Sequence, residues 1–577
     1  MASLCQAKKN SGLATFTQLT EPKQVRLRYG SRFRPVRASS AGLPPPTLAL
    51  AHPEEAGVRY LRVTPLCVLD SLSNSHLPIP ACLTVAPQAI IIETAIYPSA
   101  LYSGFMENEL DLNGLLQISK PQFVPPLHPT FTPAALCNRN FQELVRSSGR
   151  AVPLVIGIER GDHSISVYRT QCLDEGSESA GLNLFIAERL VKMLLWQKGG
   201  WRVIVGGPPP VGEHIRRVYS SNGPRAFDAD FMGGVYEHPF TVEITEAGKV
   251  PAASEGAMRL GGHLSGCRIG FDLGASDRKV AAVKDGEAVY TEEVVWDPRH
   301  ATDPSYHFEE INTALKTAAQ HLPRVDAVGG SAAGVYINNQ PRVGSLYRGV
   351  PKELFDTRIR NLFVDLQKAW GGIPFAVVND GEVTALAGAL SLRDAAVVGM
   401  ALGSSEAGGY VTPTGELTTW LNELAFCPVD MDPQAPVDEW SGDRGVGGNY
   451  FSQQAVFRLA PLAGITLDPA LGPAEKLKSV QELLHRGDEK AKLIFEAIGC
   501  YAGYGVAHYA DFYELRHVLI LGRVTSGEGG EIILARAQEV LKKEFPALAA
   551  KVALHLPDES TRRVGQAVAA ASLPVIE

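Results

Sequence analysis

The 577-residue sequence has only eight cysteines, and these are scattered at positions 5, 67, 82, 137, 172, 267, 427 and 500. No two of them form a CxxC pair, so neither a disulfide framework nor a cysteine-based zinc site is indicated. A protein without a disulfide framework is typical of a reducing compartment. We therefore predict a cytoplasmic location.

Long apolar runs and excess positive charge are also missing. The most apolar stretch, residues 81–102, contains Glu93 and two prolines, so we predict no membrane span. The net charge of −8 disfavours nonspecific binding to nucleic acid. We expect a small-molecule partner, and neither a membrane nor a nucleic acid.

Acidic residues are scarce in one segment. Residues 1–40 contain eight Lys or Arg and a single acid, Glu21. A basic segment rich in Ser and Arg is typical of an organellar transit peptide, and a basic disordered tail is the alternative. We assign residues 1–45 to such a tail or targeting segment, which would make the location organellar if it is a targeting signal.

The remaining chain is too long for one core and predicts at least two further domains. In the first, residues 46–260, "VPLVIGIERGDHSISVYRTQCL" predicts a β-hairpin over 152–173. The following segment, 181–197, predicts an amphipathic helix. We predict a separate N-terminal α/β domain of unknown role, ending in the Gly-rich run before residue 261.

The hairpin of this first domain also echoes a later segment. "VIGIERGDHSISVYR" (155–169) matches the pattern of "RIGFDLGASDRKVAA" (268–282), with Glu159 in the position of Asp272. One hypothesis is that residues 150–250 are a degenerate copy of the later α/β unit. The alternative is that any β-hairpin can show this pattern.

In residues 261–577, three glycine-rich turns follow apolar strands. The first contains Asp272, Gly274 and Ser276, and the others are "LGSSEAGG" (402–409) and "LGRVTSGEGG" (521–530). Glycine lets tight turns present backbone N–H groups to phosphates, and a carboxylate can hold the water shell of Mg²⁺. The pattern favours a nucleotide-binding site, although each turn alone is a weak signal.

A fourth motif, "VVND", ends an apolar strand at Asn379 and Asp380, directly before a helix. A carboxylate at a strand end can take a proton from a substrate hydroxyl. The alternative is that Asp380 only caps the helix.

The order of these motifs resembles that of the actin-like ATPase superfamily, and residues 267–577 most resemble the ROK family of sugar kinases and sugar-responsive repressors. "VGGSAAGVYINNQPRVGSLYRGVP" (328–351) resembles the family's Gly-rich segment leading to the sugar pocket. The resemblance implies an α/β fold with two ribonuclease-H-like lobes, and ATP and a sugar in the cleft between them. It also makes a homodimer plausible.

The resemblance further implies roles for individual residues. Asp380 would be the general base that takes a proton from the sugar, and Asp272 would hold Mg²⁺ through water. The sugar would be bound by Asn379, Glu423, Glu439 and Ser331. The phosphates and adenosine would be bound by Asp272, Gly274, Ser276, Gly403, Ser404, Gly408, Gly409, Gly522 and Gly527.

Two departures from the family pattern keep alternatives open. The family's zinc cluster is missing, since "CPVDMDPQAPVDEWSG" stands in its place, and we predict no structural zinc. Glu406 in the second turn and Arg523 in the third also differ from the family. We predict ATP-dependent phosphorylation of a hexose or N-acetylhexosamine. The alternatives are a noncatalytic sugar or nucleotide sensor and an ATPase that activates a partner enzyme. No helix-turn-helix supports the repressor branch.

Overall fold

The computed structural model describes residue 115 and residues 119–255, 260–557 and 559–576. The basic segment 1–45 and the first part of the predicted N-terminal domain lie outside these residues, so the predictions about them remain predictions. No helix in the described ranges is long and apolar enough to cross a bilayer.

The described N-terminal region forms a four-stranded sheet in the order β2-β1-β3-β4. Helices cover this sheet. Its elements are α1 (Ala134–Ser147), β1 (Ala151–Glu159), β2 (Ile165–Leu173), α2 (Leu182–Lys198), β3 (Arg202–Gly206), α3 (Pro209–Val218), α4 (Ala226–Tyr236) and β4 (Thr241–Thr245). The predicted hairpin and the predicted helix are both present here.

The hypothesis that this region copies the later unit is wrong in topology. The β1–β2 hairpin forms, but β3 pairs antiparallel with β1. Glu159 lies in an ion pair, with Arg202 Nη1 2.7 Å from its Oε2.

Lobe I contains a five-stranded sheet in the order β11-β8-β5-β6-β7. The first three strands are an antiparallel meander, and β8 and β11 then run parallel to β5. The elements are β5 (Cys267–Leu273), β6 (Asp277–Lys284), β7 (Glu287–Val295), α5 (Pro304–Ala319), β8 (Ala327–Ala332), β9 (Val335–Ile337), β10 (Gln340–Val343), α6 (Lys352–Thr357), α7 (Leu362–Ala369) and β11 (Phe375–Asn379).

Lobe II contains a four-stranded sheet of similar topology, in the order β13-β12-β14-β15. Strands β12 and β13 are antiparallel, and β14 and β15 run parallel to β12. Helix α8 (Asp380–Leu392) leads into it. The other elements are β12 (Val397–Leu402), β13 (Glu406–Val411), α9 (Gln453–Leu462), α10 (Pro473–His485), α11 (Glu489–Tyr509), β14 (His517–Leu521), α12 (Glu528–Glu544), α13 (Pro546–Ala549), β15 (Ala553–His555) and α14 (Glu559–Ala571). The predicted α/β class with two such lobes is confirmed.

Close backbone contacts hold the helices α8 and α14 against the two sheets. A Cβ at Gly270 in β5 would collide with the carbonyl oxygen of Ala567 in α14, and one at Gly329 in β8 would collide with that of Ala570. Because these strands carry glycine at the crossing points, α14 packs directly on the central strands of lobe I. The small residues of α14 also allow this close packing.

The N-terminal region shares one hydrophobic core with lobe II. The cluster runs from N-terminal residues such as Phe141 and Trp196 to lobe II residues such as Tyr450, Ile498 and Ile520. The predicted division at residue 261 stays a prediction, and the shared core means that the regions on its two sides are packed together.

A buried ion network strengthens this junction. Lys192 in α2 has its Nζ 2.8 Å from Asp228 Oδ2 in α4 and 3.3 Å from Asp443 Oδ2, beyond the predicted boundary. Three basic and three acidic side chains take part, each 5% exposed or less: Glu188, Arg189, Lys192, Arg225, Asp228 and Asp443. Helix α2 is therefore enclosed on its polar face too, and the prediction of an amphipathic surface helix is wrong because its charged residues are paired inside.

We predict that Lys192→Met lowers the free energy of unfolding in urea by about 3–5 kcal/mol, because it leaves two buried carboxylates without their ammonium partner. The matched control is Lys249→Met, which removes an exposed ion pair with Glu246 and should cost about 0–1 kcal/mol. Equal losses in the two variants would contradict a stabilising role for the network.

Candidate functional site

Asp272 lies at the end of β5, the central strand of lobe I, where the strand enters the first turn. Its register partners are Ser331 on β8 and Lys279 on β6. Ser331 Oγ donates to Asp272 Oδ1 at 2.6 Å, and Lys279 Nζ lies 3.4 Å from Oδ2. Burial raises the pKa of Asp272, against the effects of Lys279 and Ser331. The carboxylate is thus held rigidly at the floor of the site.

Asn379 and Asp380 stand where β11 becomes α8. Asn379 is the N-cap residue, since its Oδ1 accepts from Gly381 N at 2.7 Å, and its Nδ2 donates to Gly334 O at 2.8 Å. Asn379 therefore caps the helix, and the Asp380 carboxylate at the first helical position also accepts from Gly381 N, at 3.1 Å to its Oδ1. Asp380 is half-buried.

The first turn of α8 is pressed against β13 by three glycines. A Cβ at Gly381 would collide with the carbonyl oxygen of Gly408, and a Cβ at Gly409 would collide with that of Gly381. Gly408 and Gly409 are therefore strand residues that admit the helix. Both are buried in β13, and their predicted role in wrapping phosphates stays a prediction.

Asp380 lies beside two other carboxyl groups. Burial and then the Asp272 carboxylate raise the pKa of Asp380 to about 6. Burial and then Asp380 raise the pKa of Glu423 to about 7. The electrostatic coupling thus places Asp272, Asp380 and Glu423 near one another, from a strand end, a helix start and a loop. Their predicted roles stay predictions.

A fourth carboxyl group, Glu382, follows Asp380 in the same helical turn. It is 5% exposed, and Asn422 Nδ2 and Tyr410 N donate to it. Burial raises the pKa of Glu382 to about 8, so it is mostly protonated at neutral pH. Sequence reasoning missed this residue, whose signal was a carboxylate two residues after Asp380 inside an otherwise apolar helix.

The N-terminal region holds Glu423 in place. The backbone N–H groups of Leu421, Asn422 and Glu423 donate to the carbonyl oxygens of Lys198, Gln197 and Trp196 at 3.3, 2.9 and 3.0 Å. These carbonyls belong to the last turn of α2, where a helix leaves its acceptors unpaired. The end of α2 is therefore part of the support of the site, which the sequence did not indicate.

The first turn is a tight β-turn in which Gly274 N donates to Asp277 O at 2.9 Å. Ser276 is exposed at its tip. Lys279 Nζ lies 2.7 Å from Asp277 Oδ1. Although burial acts in the opposite direction, Lys279, Ser276 and Arg523 together hold the pKa of Asp277 below its usual range. Arg523 of the third turn thus faces the first turn across the cleft.

The second turn, between β12 and β13, contains Gly403 and exposed Ser404. Gly403 N donates to Ser405 O at 3.0 Å. Glu406 points away from this turn into lobe II, where it is 3% exposed and Tyr509 Oη donates to its Oε1 at 3.1 Å. Burial raises the pKa of Glu406 to about 8. Because Glu406 points away from the second turn, its carboxyl would not repel a triphosphate bound there.

The third turn joins β14 to α12. Gly522 and Gly527 have φ of 111° and 69°, a region that side chains avoid. Gly522 packs against the backbone of Leu402, whereas Gly527 faces open space at the start of the helix. The two glycines shape the turn that the resemblance assigns to adenosine.

Two predicted sugar-binding residues lie differently from the others. Ser331 is fully buried in β8 and donates to Asp272, so it positions that carboxylate. Its role in sugar binding stays a prediction. Glu439 is exposed on the loop before Asp443. Its role in sugar binding stays a prediction.

Beside Asn379 lies a cavity of about 750 Å³. It borders β11 and the Gly-rich segment from Gly334 to Asn339, which the resemblance assigned to the sugar pocket. Its opposite wall comes from the N-terminal region, at residues 160–162 and 235–238. The end of α4 and the two residues after it therefore form part of the cavity wall.

No protein-family model matches the chain, and no curated protein is significantly similar to it in sequence. Solved structures of the ROK family are similar to it. A ROK hexokinase from Thermus thermophilus has 16% identity and a TM-score of 0.42, covering 53% of this chain and 98% of the hexokinase. A ROK family glucokinase from Streptomyces griseus, solved with glucose and AMPPNP, has 19% identity and a TM-score of 0.39, with coverage of 53% and 98%.

A ROK family transcriptional regulator homologous to the MLC protein of E. coli is also similar, at 17% identity and a TM-score of 0.41, covering 53% of this chain and 77% of the regulator. The solved structures thus belong to the family that the motifs resemble. Because these similarities are distant, we base the proposals below on this chain's own residues.

We predict that Glu406→Gln weakens the pH dependence of stability. A carboxyl whose pKa rises from 4.5 to about 8 on folding contributes stability that is fully present below about pH 4.5 and is lost as the pH rises through about 8. Gln cannot ionise, so urea unfolding between about pH 5 and pH 8 should show a loss smaller by more than ~1.4 kcal/mol, the equivalent of one pKa unit. The control is exposed Glu489→Gln. Identical slopes in the wild type and Glu406→Gln would contradict a buried, protonated Glu406.

Proposed function

We propose that the protein is an ATP-dependent kinase that phosphorylates a sugar hydroxyl, with Asp380 as general base. The observation that carries this proposal is the half-buried Asp380 carboxylate beside Asp272 and Glu423, with a pKa of about 6. A base with that pKa is mostly ionised at neutral pH, and its conjugate acid is still weak enough for the group to accept a proton during the reaction.

In the proposed reaction the Asp380 carboxylate takes the proton of the sugar hydroxyl. The hydroxyl oxygen then forms a bond to the γ-phosphorus of ATP, while the bond between that phosphorus and the β–γ bridging oxygen breaks. ADP leaves with the electron pair of that bond. Glu423 and Asn379 would hold neighbouring sugar hydroxyls, because both are half-buried beside Asp380.

The three turns would hold the nucleotide. Lys279 and Arg523 both lower the pKa of Asp277 and therefore lie near the first turn. Their positive charges would balance the charge of bound phosphates. Ser276 and Ser404 are exposed at the turn tips, and Gly527 has open space around its Cα at the start of the 17-residue helix α12. Helix N-termini and glycine turns favour phosphate binding.

Mg²⁺ suits the oxygen donors of the first turn. Asp272 and Asp277 present carboxylate oxygens on either side of Lys279, and Mg²⁺ is held in proteins by one or two carboxylates together with substrate phosphates. When bound, the ion would neutralise the developing charge on the phosphates. The Lys279 ammonium must then shift toward Asp277 or the phosphates, because it now lies 3.4 Å from Asp272.

The Lys279–Asp272 contact also favours a second candidate function, a noncatalytic sugar or nucleotide sensor. A protein cation already neutralises the carboxylate that would hold the metal. The buried position of Glu406 removes the other reason for this alternative, because its carboxyl points into lobe II toward Tyr509 and away from the second turn. The sensor would bind ligand without consuming ATP.

We predict that Asp380→Asn lowers saccharide-dependent ATP consumption by about 10²–10⁴-fold, the usual contribution of a positioned general base. In the wild type, kcat/KM should fall below about pH 6, because protonated Asp380 cannot accept a proton. The control Asp365→Asn changes an exposed carboxylate on α7. Normal turnover by Asp380→Asn would contradict the role of Asp380. Saccharide binding without any ATP consumption by the wild type would favour the sensor.

A further inference from the structure

The cavity beside Asn379 is larger than a single sugar ring requires. Its volume is about 750 Å³, and pockets of about 300–1,000 Å³ enclose drug-sized ligands. It extends from Asn379 and Glu382 along the edge strand β11, away from Asp272. A substrate with one hydroxyl at Asp380 would leave most of this space empty if it were a monosaccharide.

The wall opposite β11 is built by the N-terminal region. Arg160, Gly161 and Asp162, in the turn between β1 and β2, face the cavity together with Tyr236 and His238 at the end of α4. Two sets of contacts fix this wall. The end of α2 accepts the backbone N–H groups of 421–423, and Glu237 forms ion pairs with Arg342 and Arg360 of lobe I.

Many of the residues that line the cavity are polar. They include Arg160, Asp162, Asn338, Asn339 and Arg342. A cavity with several hydrogen-bonding side chains in its lining suits a polar ligand.

The charges of the wall favour an uncharged ligand. Arg342 Nη1 lies 2.6 Å from Glu237 Oε2, and Arg160 Nη2 lies 2.6 Å from Glu255 Oε2. Each guanidinium is already balanced by a carboxylate, so the wall offers no surplus positive charge to an acidic or phosphorylated sugar. Hydroxyl groups of a neutral ligand can form hydrogen bonds with the polar side chains of the lining without disturbing this balance.

We propose that the acceptor substrate is a neutral saccharide of two or more rings. The reacting ring lies at Asp380, and the next ring occupies the cavity between β11 and the wall formed by residues 160–162 and 236–238. This inference rests on the proposed kinase function for the reaction. It makes the N-terminal region a determinant of substrate size. A chain that consisted of the two lobes alone would lack this wall of the cavity.

The first test measures ATP consumption by the full chain with monosaccharides and with neutral disaccharides of different linkages, including maltose, cellobiose, trehalose and sucrose. The mass of the product confirms transfer of one phosphoryl group. We expect at least one disaccharide to have a kcat/KM about tenfold or more above the best monosaccharide. Equal or better turnover of monosaccharides than of every disaccharide would overturn the proposal.

The second test narrows the cavity from its N-terminal wall. Gly161 has only ordinary contacts around an added Cβ, the nearest atom being Tyr236 Cδ1 at 3.6 Å, so Gly161→Leu should fold and fill space in the cavity. We expect KM for the disaccharide to rise about tenfold or more, with a much smaller change for a monosaccharide. The matched control is Gly234→Leu, on the exposed side of α4 with open space around it. Equal effects of Gly161→Leu on both substrates would overturn the proposal.

Calorimetry also separates failure of this inference from failure of the proposed function. If no saccharide supports ATP consumption but a disaccharide binds the wild type and not Gly161→Leu, the kinase function fails and the size of the site stands. If monosaccharides are phosphorylated and no disaccharide binds, the kinase function stands and this inference is overturned.

Discussion

The contact between the first turn of α8 and strand β13 is the constraint on which the site depends. Gly381, Gly408 and Gly409 let the two backbones meet so closely that any Cβ at the crossing would collide with a carbonyl oxygen. This contact fixes the start of α8 between the lobes. Asp380 therefore faces Asp272 and Glu423. Glu382, two residues further along the helix, is buried.

The close placement of these carboxyl groups has an electrostatic consequence. Each raises the pKa of its neighbour, on top of the effect of burial, so that the pKa values of Asp380, Glu423 and Glu382 are spread over about 6, 7 and 8. Groups with separated pKa values can take different protonation states at one pH. Asp380 then has the lowest pKa of the three and is the most fully ionised of them at neutral pH.

Much of this arrangement could be predicted from the sequence. The resemblance implied that Asp272 and Asp380 share one cleft, and the structure places them at the end of β5 and directly after β11 in the same sheet. The sequence could not show that Gly408 and Gly409 serve helix packing, since a glycine in a strand and one in a turn look alike. It also could not show that Glu406 turns inward to Tyr509, because that depends on a partner 103 residues away.

The N-terminal region was the hardest part to interpret. Its hairpin looked like a copy of the first phosphate turn, but β3 runs antiparallel to β1, which gives its sheet a different topology. Its contribution depends on contacts far apart in sequence: Lys192 with Asp443, the end of α2 with residues 421–423, and Tyr236 beside Asn379. No local pattern reports such contacts.

The most direct measurement of the central claim is a crystal structure of the protein with an unreactive ATP analogue and a neutral disaccharide. We expect a saccharide hydroxyl within hydrogen-bond distance of Asp380, with the γ-phosphate between it and Asp272. Nucleotide bound outside this cleft, or a saccharide with no hydroxyl near Asp380, would contradict the account.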